Sequence, residues 1–219
     1  MTDPRRVGIL VYDDVEVLDV AGPYEVFSVA GRRAGREPFA VQLLAARPGD
    51  VTARNGFRLA PHATLEDAPP LDVLVVPGGP GARREQHDAP LRELLRRRAA
   101  TTPLVLSVCT GALLLGRAGL LDGLAATTHH LALDALAEAA PLARVLPDAR
   151  VTDNGAILTS AGVAAGIDAA LHVVERLLGR ELAEEASRYM EVQRTPVGTP
   201  GAAAAPGGGL TPSRRPREA

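Results

Sequence analysis

The sequence predicts an α/β fold in which a mainly parallel sheet lies between two layers of helices. Short runs rich in Val, Leu and Ile alternate along the chain with longer helical patterns. This order is expected when parallel strands are joined by crossover helices. The single cysteine, Cys109, stands where one such strand ends and a helix begins. We therefore expect a three-layer sandwich with a cysteine at the carboxyl edge of its sheet.

Four apolar runs, each bounded by charged, Gly or Pro residues, predict buried parallel strands. They span residues 7–12, 39–45, 71–76 and 104–108. Helical patterns lie between and after these strands. They cover residues 19–30, 89–100, 110–119, 130–139, 163–178 and 181–190.

Two Asn-Gly pairs predict hairpins, because this dipeptide favours the tight turns that join antiparallel strands. One pair is Asn55 and Gly56, within residues 51–59, and the other is Asn154 and Gly155. The composition then changes, since 15 of the 25 residues from Thr195 onward are Gly, Pro or Ala. We predict one α/β domain over residues 1–193 and a disordered tail over residues 194–219.

Cys109 is predicted to lie on a tight turn from strand to helix, the geometry known as a nucleophile elbow. Its sulfur would point out of the sheet, beside backbone N–H groups of the next helix. These amides and the positive end of the helix dipole favour a thiolate. The alternative is a buried cysteine that packs as a small hydrophobic residue.

Asp19 follows the first strand and stands between Leu18 and Val20. One interpretation is a helix N-cap, a position at which Asp is favoured because it accepts backbone hydrogen bonds. The other is an acid whose pKa is raised by burial and by a neighbouring thiolate, which suits proton transfer. From the residues alone the N-cap is the favoured interpretation.

The glycine pair Gly78 and Gly79 follows the third strand in the segment V-P-G-G-P-G. Glycines let backbone amides approach a ligand closely, and with the Thr110 N–H they would stabilise developing negative charge. A tight connection without a ligand explains the same residues. The chain contains no lysine, and the segment lacks the spacing of a phosphate loop, so nucleotide binding and Schiff-base chemistry are not expected.

His129 and His130 are adjacent, so at most one of them can face the sulfur. We take His129 as a candidate that supports the site from behind the reacting groups, with a role in capping or core packing as the alternative. The other histidines show no ligand spacing, so no metal is predicted. Residues 161–168 are either another wall of the site or a helix start that is capped locally.

Composition narrows the classes of partner. The formal net charge is −2 and aromatic residues make up 3% of the chain, with no Trp. Neither a basic surface nor a stacking platform for nucleic acid is expected, and no apolar stretch approaches the ~20 residues that cross a bilayer. We expect a cytoplasmic protein with a small-molecule substrate, no nucleic-acid partner and no membrane contact.

Several motifs together resemble the ThiJ/PfpI superfamily, which has a flavodoxin-like, class I glutamine-amidotransferase-like fold. The resemblance covers residues 7–193, through L-D-V-A-G-P, V-V-P-G-G-P-G, S-V-C-T-G-A, A-T-T-H-H and L-T-S-A-G-V-A-A-G-I-D. The L-D-x-x-G-P and C-T-G signatures are similar to the isonitrile hydratase branch and equally to the sensor half of AraC-type regulators.

In the hydratase branch, the resemblance implies that Cys109 is the nucleophile and Asp19 its partnering acid, with Gly79 and Thr110 near the reacting atom. Attack on an isonitrile carbon would give a thioimidate, which water releases as a formamide without a cofactor. A homodimer is implied as well. A stand-alone ligand or redox sensor is the alternative, and glyoxalase-like or deglycase-like activity is another, although that branch carries glutamate where Asp19 stands. Cys109–Thr110 departs from the Cys-His pair of the peptidase branch.

Overall fold

The protein is described by a computed structural model that covers residues 3–195 and residue 197. The predicted tail, residues 194–219, lies outside the described residues except for positions 194, 195 and 197. The strands, numbered in chain order, are β1 Arg5–Val11, β2 Phe39–Ala45, β3 Val51–Thr52, β4 Arg58–Leu59, β5 Ala63–Thr64, β6 Val73–Val76, β7 Leu104–Val108, β8 Ala125–Ala126, β9 Arg144–Val145, β10 Val151–Asp153 and β11 Ile157–Ser160.

Seven α-helices connect or follow these strands in the described part of the chain. They are α1 Val17–Val29, α2 Ala82–Glu85, α3 Ala89–Thr101, α4 Gly111–Arg117, α5 Leu133–Ala139, α6 Ala165–Leu178 and α7 Arg180–Tyr189. Short 3₁₀ turns lie at Arg32–Ala34, Arg54–Gly56 and His130–Ala132.

The predicted α/β fold is confirmed by a seven-stranded sheet in the order β10-β11-β7-β6-β1-β2-β5. All neighbours in this sheet are parallel except β10 and β11, which are antiparallel. Every residue of β6 and β7 is buried, because helices cover both faces of the sheet. One layer contains α1, α6 and α7, and the other contains α2, α3 and α5 packed around α4.

Both Asn-Gly pairs lie in hairpins, as predicted. The first joins β3 to β4, and Asn55 and Gly56 both have positive φ angles, 60° and 81°. The second joins β10 to β11, where the Gly155 N–H donates to the Asp153 side chain at 2.8 Å. This second hairpin leads into β11, which lies immediately beside the cysteine strand β7.

Three helix starts differ from the prediction by two or more residues, and α1 begins at Val17, two residues before its predicted start. The predicted helix at residue 130 begins as a 3₁₀ turn, and α5 follows it. The predicted helix at residue 163 begins two residues later, because Val163 has φ 52° and cannot continue a right-handed helix. The irregular turn that results lies at the carboxyl end of β11.

Chain order and sheet order together bring four turns to one edge of the sheet. The strands β11, β7, β6 and β1 are neighbours in that order, and their carboxyl ends lead into the turns before α6, α4, α2 and α1. Ligands of open α/β sheets bind at this edge. The turn after β6 packs tightly on the helix that follows the cysteine, since a Cβ added at Gly111 would lie 2.0 Å from the Val76 carbonyl oxygen.

That close approach gives a test of the fold. We expect Gly111→Ala to lower the free energy of unfolding by about 3 kcal/mol or more, because two backbones must separate to admit the methyl group. Gly155→Ala is the matched control. It has open space around its Cβ position but a φ of 87°, so only the left-handed strain of about 1–2 kcal/mol should be seen. Urea unfolding measures both, and equal losses would contradict the close packing.

Candidate active site

Cys109 occupies the predicted elbow between β7 and α4, with φ 55°. Three hydrogen bonds hold this turn. The Cys109 N–H donates to the carbonyl oxygens of Ser160 and Ala161, both at 3.2 Å, and the Cys109 carbonyl accepts from the Thr128 hydroxyl at 2.7 Å. A positive φ is rare for a residue other than glycine and persists where surrounding contacts enforce it. The sulfur is therefore held in a fixed direction at the edge of the sheet.

The cysteine is more deeply placed than the sequence suggested. Only 6% of Cys109 is exposed, and Asp19 is fully buried. Two large clefts lie elsewhere, one of about 540 Å³ beside Arg47 and Glu85 and one of about 180 Å³ beside Tyr24 and Phe39. Neither is lined by Cys109. In a single chain the reactive group is therefore almost completely shielded from solvent.

Asp19 lies in the first turn of α1, but it does not cap that helix. The N-cap position is Glu16, so the capping interpretation is wrong. Asp19 instead faces the interior, where its Oδ2 accepts a hydrogen bond from the Gly78 N–H at 3.0 Å. Its Oδ1 is buried and meets no donor that fulfils hydrogen-bond geometry. One carboxylate oxygen is fixed and the other remains available to a proton or a reactant.

Burial dominates the proton affinities of this pair. Burial raises the pKa of Asp19 to about 7, with a further rise from the charge of Glu16 and an opposing effect of the Gly78 amide. Burial first, and then the negative charge of Asp19, raise the pKa of Cys109 to about 12. The Thr110 amide does lower the pKa of Cys109, as expected of the helix amides, but desolvation outweighs this effect and the resting cysteine is a thiol.

Between these two pKa values the pair holds one proton. When that proton resides on the carboxyl group, the sulfur is a thiolate, and its stabilisation by the Thr110 and Val163 amides lowers the cysteine pKa without overcoming burial. A thiolate opposite a neutral acid avoids two adjacent buried negative charges. At rest the higher pKa of Cys109 keeps this proton on the sulfur, so the pair supplies a nucleophile and a proton together only after the proton moves to Asp19.

Gly78 and Gly79 lie at the site, but their amides already have partners. The Gly78 N–H donates to Asp19, and the Gly79 N–H donates to the Thr110 hydroxyl at 2.9 Å. That hydroxyl donates back to the Gly79 carbonyl at 3.1 Å. The predicted role of both glycine amides in stabilising an anion is therefore not supported by this arrangement. Their role here is to hold the acid and the elbow in place.

Val163 is the site residue that the sequence analysis missed. Its amide interacts with both Asp19 and Cys109, and in each case it favours the charged form. Its φ of 52° is an outlier for a β-branched residue, which shows that the surrounding structure enforces this turn. Of the two interpretations of residues 161–168, a wall of the site is the one that fits. A valine between a glycine and two alanines gave no sequence signal for this conformation.

His129 packs against that same turn. A Cβ at Gly162 would lie 2.1 Å from the His129 ring, so the glycine is required by this contact. The ring stacks on His130 at 4.3 Å, and its Nδ1 accepts from the Leu131 N–H at 3.2 Å. Burial and the neighbouring His130 lower the pKa of His129. His129 therefore caps the 3₁₀ turn at His130–Ala132 and packs against the 161–164 turn, which is the capping and packing alternative, and its role behind the reacting groups stays a prediction.

The described residues contain no helix long and apolar enough to span a bilayer. Within the same residues, no three His, Cys, Asp or Glu side chains are grouped as ligands for a metal ion. The groups that converge at the elbow are a thiol, an acid and two backbone amides. This set can carry out addition to a small electrophile with transfer of one proton.

The fold and site define an α/β protein with a cysteine elbow and a buried acid partner. The DJ-1/PfpI family pattern matches residues 5–176, and the chain belongs to this family. An isonitrile hydratase from Pseudomonas putida is 37% identical over 87% of this chain and 80% of that protein.

Two further relatives place the chain among bacterial proteins of different function. The HTH-type transcriptional regulator GbdR from Pseudomonas aeruginosa is 32% identical over 88% of this chain, which spans about half of that regulator, 52%. A crystal structure of a ThiJ/PfpI family protein from Pseudomonas syringae superimposes with a TM-score of 0.77 and 32% identity, and the match covers 91% of this chain and 80% of that one.

The raised pKa of Asp19 predicts a dependence of stability on pH. In the unfolded chain this carboxyl group titrates near its ordinary value of 3.8, whereas in the folded protein it titrates at about 7. The folded state is thus favoured at low pH, loses stability as pH rises from about 4 to 7, and gains nothing back above that range.

Asp19→Asn removes this loss because an amide does not ionise. We expect the variant to exceed the wild type in free energy of unfolding by on the order of 3 kcal/mol at pH 8, and by little at pH 4.5. Urea unfolding at the two pH values measures the difference. Asp122→Asn, which alters an exposed acid, is the control, and a gain for Asp19→Asn that is equal at both pH values would contradict the burial argument.

Proposed function

We propose that this protein hydrates a small isonitrile to an N-substituted formamide by covalent catalysis at Cys109. The observation that carries the proposal is the buried pair of Cys109 and Asp19, which shares one proton over the neutral pH range. The 37% identity to an isonitrile hydratase supports the choice of reaction. A small, neutral reactant also fits a cysteine of which only 6% is exposed.

The first step forms a thioimidate. With the proton on Asp19, the Cys109 thiolate attacks the terminal isonitrile carbon and forms the carbon–sulfur bond. Asp19 delivers its proton to that carbon, which gives R–N=CH–S–Cys109 and leaves the carboxylate ionised. The Asp19 oxygen Oδ1, which has no other donor, is placed for this transfer. The Gly78 amide keeps Oδ2 fixed during the step.

The second step releases the product. Asp19, now a carboxylate, acts as a general base on a water molecule that adds to the thioimidate carbon, and a proton reaches the nitrogen. The carbon–sulfur bond then breaks, the formamide R–NH–CHO leaves, and the remaining proton returns to the pair. The net reaction is addition of one water to one isonitrile. The residues of the site are restored.

A sensing role is the second candidate, because the chain matches the regulator GbdR at 32% identity over nearly the whole described domain. In that case Cys109 would bind a ligand or be oxidised without turnover. A thiol buried beside a carboxylate, with its pKa raised to about 12, disfavours rapid oxidation, which requires an accessible thiolate. The same raised pKa also limits the thiolate available for turnover, so the choice of the enzyme rests on the 37% identity to an isonitrile hydratase.

Turnover distinguishes these functions. We expect the purified protein to convert an aryl isonitrile to its formamide, with turnover abolished in Cys109→Ser and reduced about 10²–10⁴-fold in Asp19→Asn, since proton transfer contributes that much. Asp122→Asn should retain full activity. Product formation is followed by chromatography and mass spectrometry. A trapped covalent adduct between Cys109 and the substrate would identify the thioimidate.

One other outcome would reject the covalent route alone, and two would reject the hydratase. Full activity in Cys109→Ser excludes the covalent route. Turnover of α-oxoaldehydes but not of isonitriles indicates glyoxalase-like or deglycase-like chemistry. Absence of turnover with both substrate classes, together with selective peroxide modification of Cys109, indicates a sensor.

We also propose that the protein is a cytoplasmic homodimer, as the family resemblance implies. Three large apolar side chains, Leu18, Phe57 and Leu131, are exposed by 38%, 53% and 77%, and Leu18 adjoins Asp19 in sequence. Burial of such groups against a second copy would be favourable. We expect a sedimentation mass twice the chain mass of 22.8 kDa. A monomer at micromolar concentration would contradict this proposal without affecting the chemistry.

A further inference from the structure

Tyr12 is a buried tyrosine at the end of the first central strand, and the proposed reaction has not used it. It is only 2% exposed. Its hydroxyl donates a hydrogen bond to the Pro77 carbonyl oxygen at 2.6 Å. Because a buried tyrosine hydroxyl needs a partner, this contact satisfies both groups, and it lies directly on the turn that carries Gly78.

The Pro77 carbonyl and the Gly78 N–H belong to the same peptide unit, which is planar. Tyr12 holds the oxygen of this unit, and Asp19 accepts from its N–H at 3.0 Å. Rotation of the plane would break both hydrogen bonds together. A donor on the carbonyl oxygen also polarises the amide and strengthens the bond made by its N–H.

Other hydrogen bonds hold the rest of the turn, whereas Tyr12 is the donor to the Pro77–Gly78 peptide unit. The Gly78 carbonyl accepts from the Glu16 N–H at 2.9 Å, and both polar groups of Gly79 bond to the Thr110 hydroxyl. The Pro77 nitrogen carries no hydrogen and can make no further bond. The direction of the Gly78 N–H is therefore controlled from the Pro77 oxygen.

We propose that Tyr12 is a positioning residue for Asp19, acting through the Pro77–Gly78 peptide unit. Its hydroxyl orients the amide that donates to the Oδ2 atom of Asp19, and so tunes how readily the acid gives up and regains its proton. The importance of this tuning for turnover rests on the proposed function. The effect of Tyr12 on the proton affinity of Asp19 is independent of that function.

The charges around the phenol keep it a donor. Burial, followed by the negative charges of Asp19, Cys109 and Glu85, raises the pKa of Tyr12 well above its ordinary value, and only Arg84 opposes this. Glu85 is itself paired with Arg47 at 2.9 Å and with Arg84 at 3.2 Å. On the other side of the carboxyl group, Glu16 adds negative charge and pairs with Arg54 at 2.9 Å.

Alkylation of Cys109 reports the protonation of the pair, and the chain has no second cysteine to confuse the signal. Because an ionised Asp19 raises the pKa of the thiol, we expect the rise of the iodoacetamide reaction rate with pH, measured by intact-mass spectrometry, to level off where Asp19 loses its proton, with a midpoint of about 7 for this change of slope. In Tyr12→Phe the weakened Gly78 bond raises the pKa of the carboxyl group, so the midpoint should move upward by roughly 0.5–1 pH unit.

Tyr189→Phe is the matched control, because its hydroxyl accepts from Arg32 at 3.0 Å on the surface, and its midpoint should equal that of the wild type. In an Asp19→Asn background, Tyr12→Phe should cause no shift, since the titrating acid is gone. An unchanged midpoint in Tyr12→Phe would overturn the proposal, as would an equal shift in the absence of Asp19.

If Tyr12→Phe does not fold, 3-fluorotyrosine provides the test. In a chain carrying Tyr24→Phe and Tyr189→Phe, Tyr12 is the one remaining tyrosine. Fluorination makes the phenol a stronger donor, so the midpoint should move downward, and no movement would reject the role. Both readouts are independent of isonitrile turnover. A shifted midpoint in a protein without hydratase activity would retain the positioning role and reject the proposed function alone.

Discussion

The site depends on two acidic groups being placed out of water beside each other. Neither the thiol of Cys109 nor the carboxyl of Asp19 is solvated, so a negative charge on one makes a charge on the other costly. One proton therefore stays with the pair throughout the neutral pH range. The acidity of Asp19 and the nucleophilicity of Cys109 therefore both depend on the environment that the two side chains share.

This arrangement requires a rigid support, because buried polar groups are tolerated only where their partners are fixed. The turn after β6 provides it. The peptide groups from Pro77 to Gly79 bond to Tyr12, Asp19, Glu16 and Thr110. Gly78 and Gly79 allow close packing and orient the amides of this turn. Because these amides already donate to Asp19 and Thr110, they cannot also donate to a bound anion.

Much of the fold followed from patterns of apolar residues. The apolar runs at β2 and β7 were predicted with their observed ends, and in β7 full burial on both faces leaves an unbroken apolar signal. The very short pairs β3–β4 and β8–β9 differ in this respect. The first was predicted from its Asn-Gly turn, whereas the second, two residues in each strand, has no periodicity to detect.

The site divides in the same way. The positions of Cys109 and Asp19 follow from the strand-to-helix junction and from the family motifs, which are local in sequence. The conformation of Val163 and the partners of the Gly78 amide arise from contacts between turns more than 30 residues apart in the chain. The resting protonation of the thiol likewise depends on depth below the surface, and a sequence motif does not report depth.

The sheet ends in very short strands at both sides, β5 with two residues and β10 with three. Unpaired N–H and C=O groups at such an edge are a template on which another chain can add. Here few remain, and the β10 residue Asp153 is also tied to His172 and Arg176 of α6. A strongly apolar parallel sheet is thereby kept from extending itself into fibrous assemblies when the protein is concentrated.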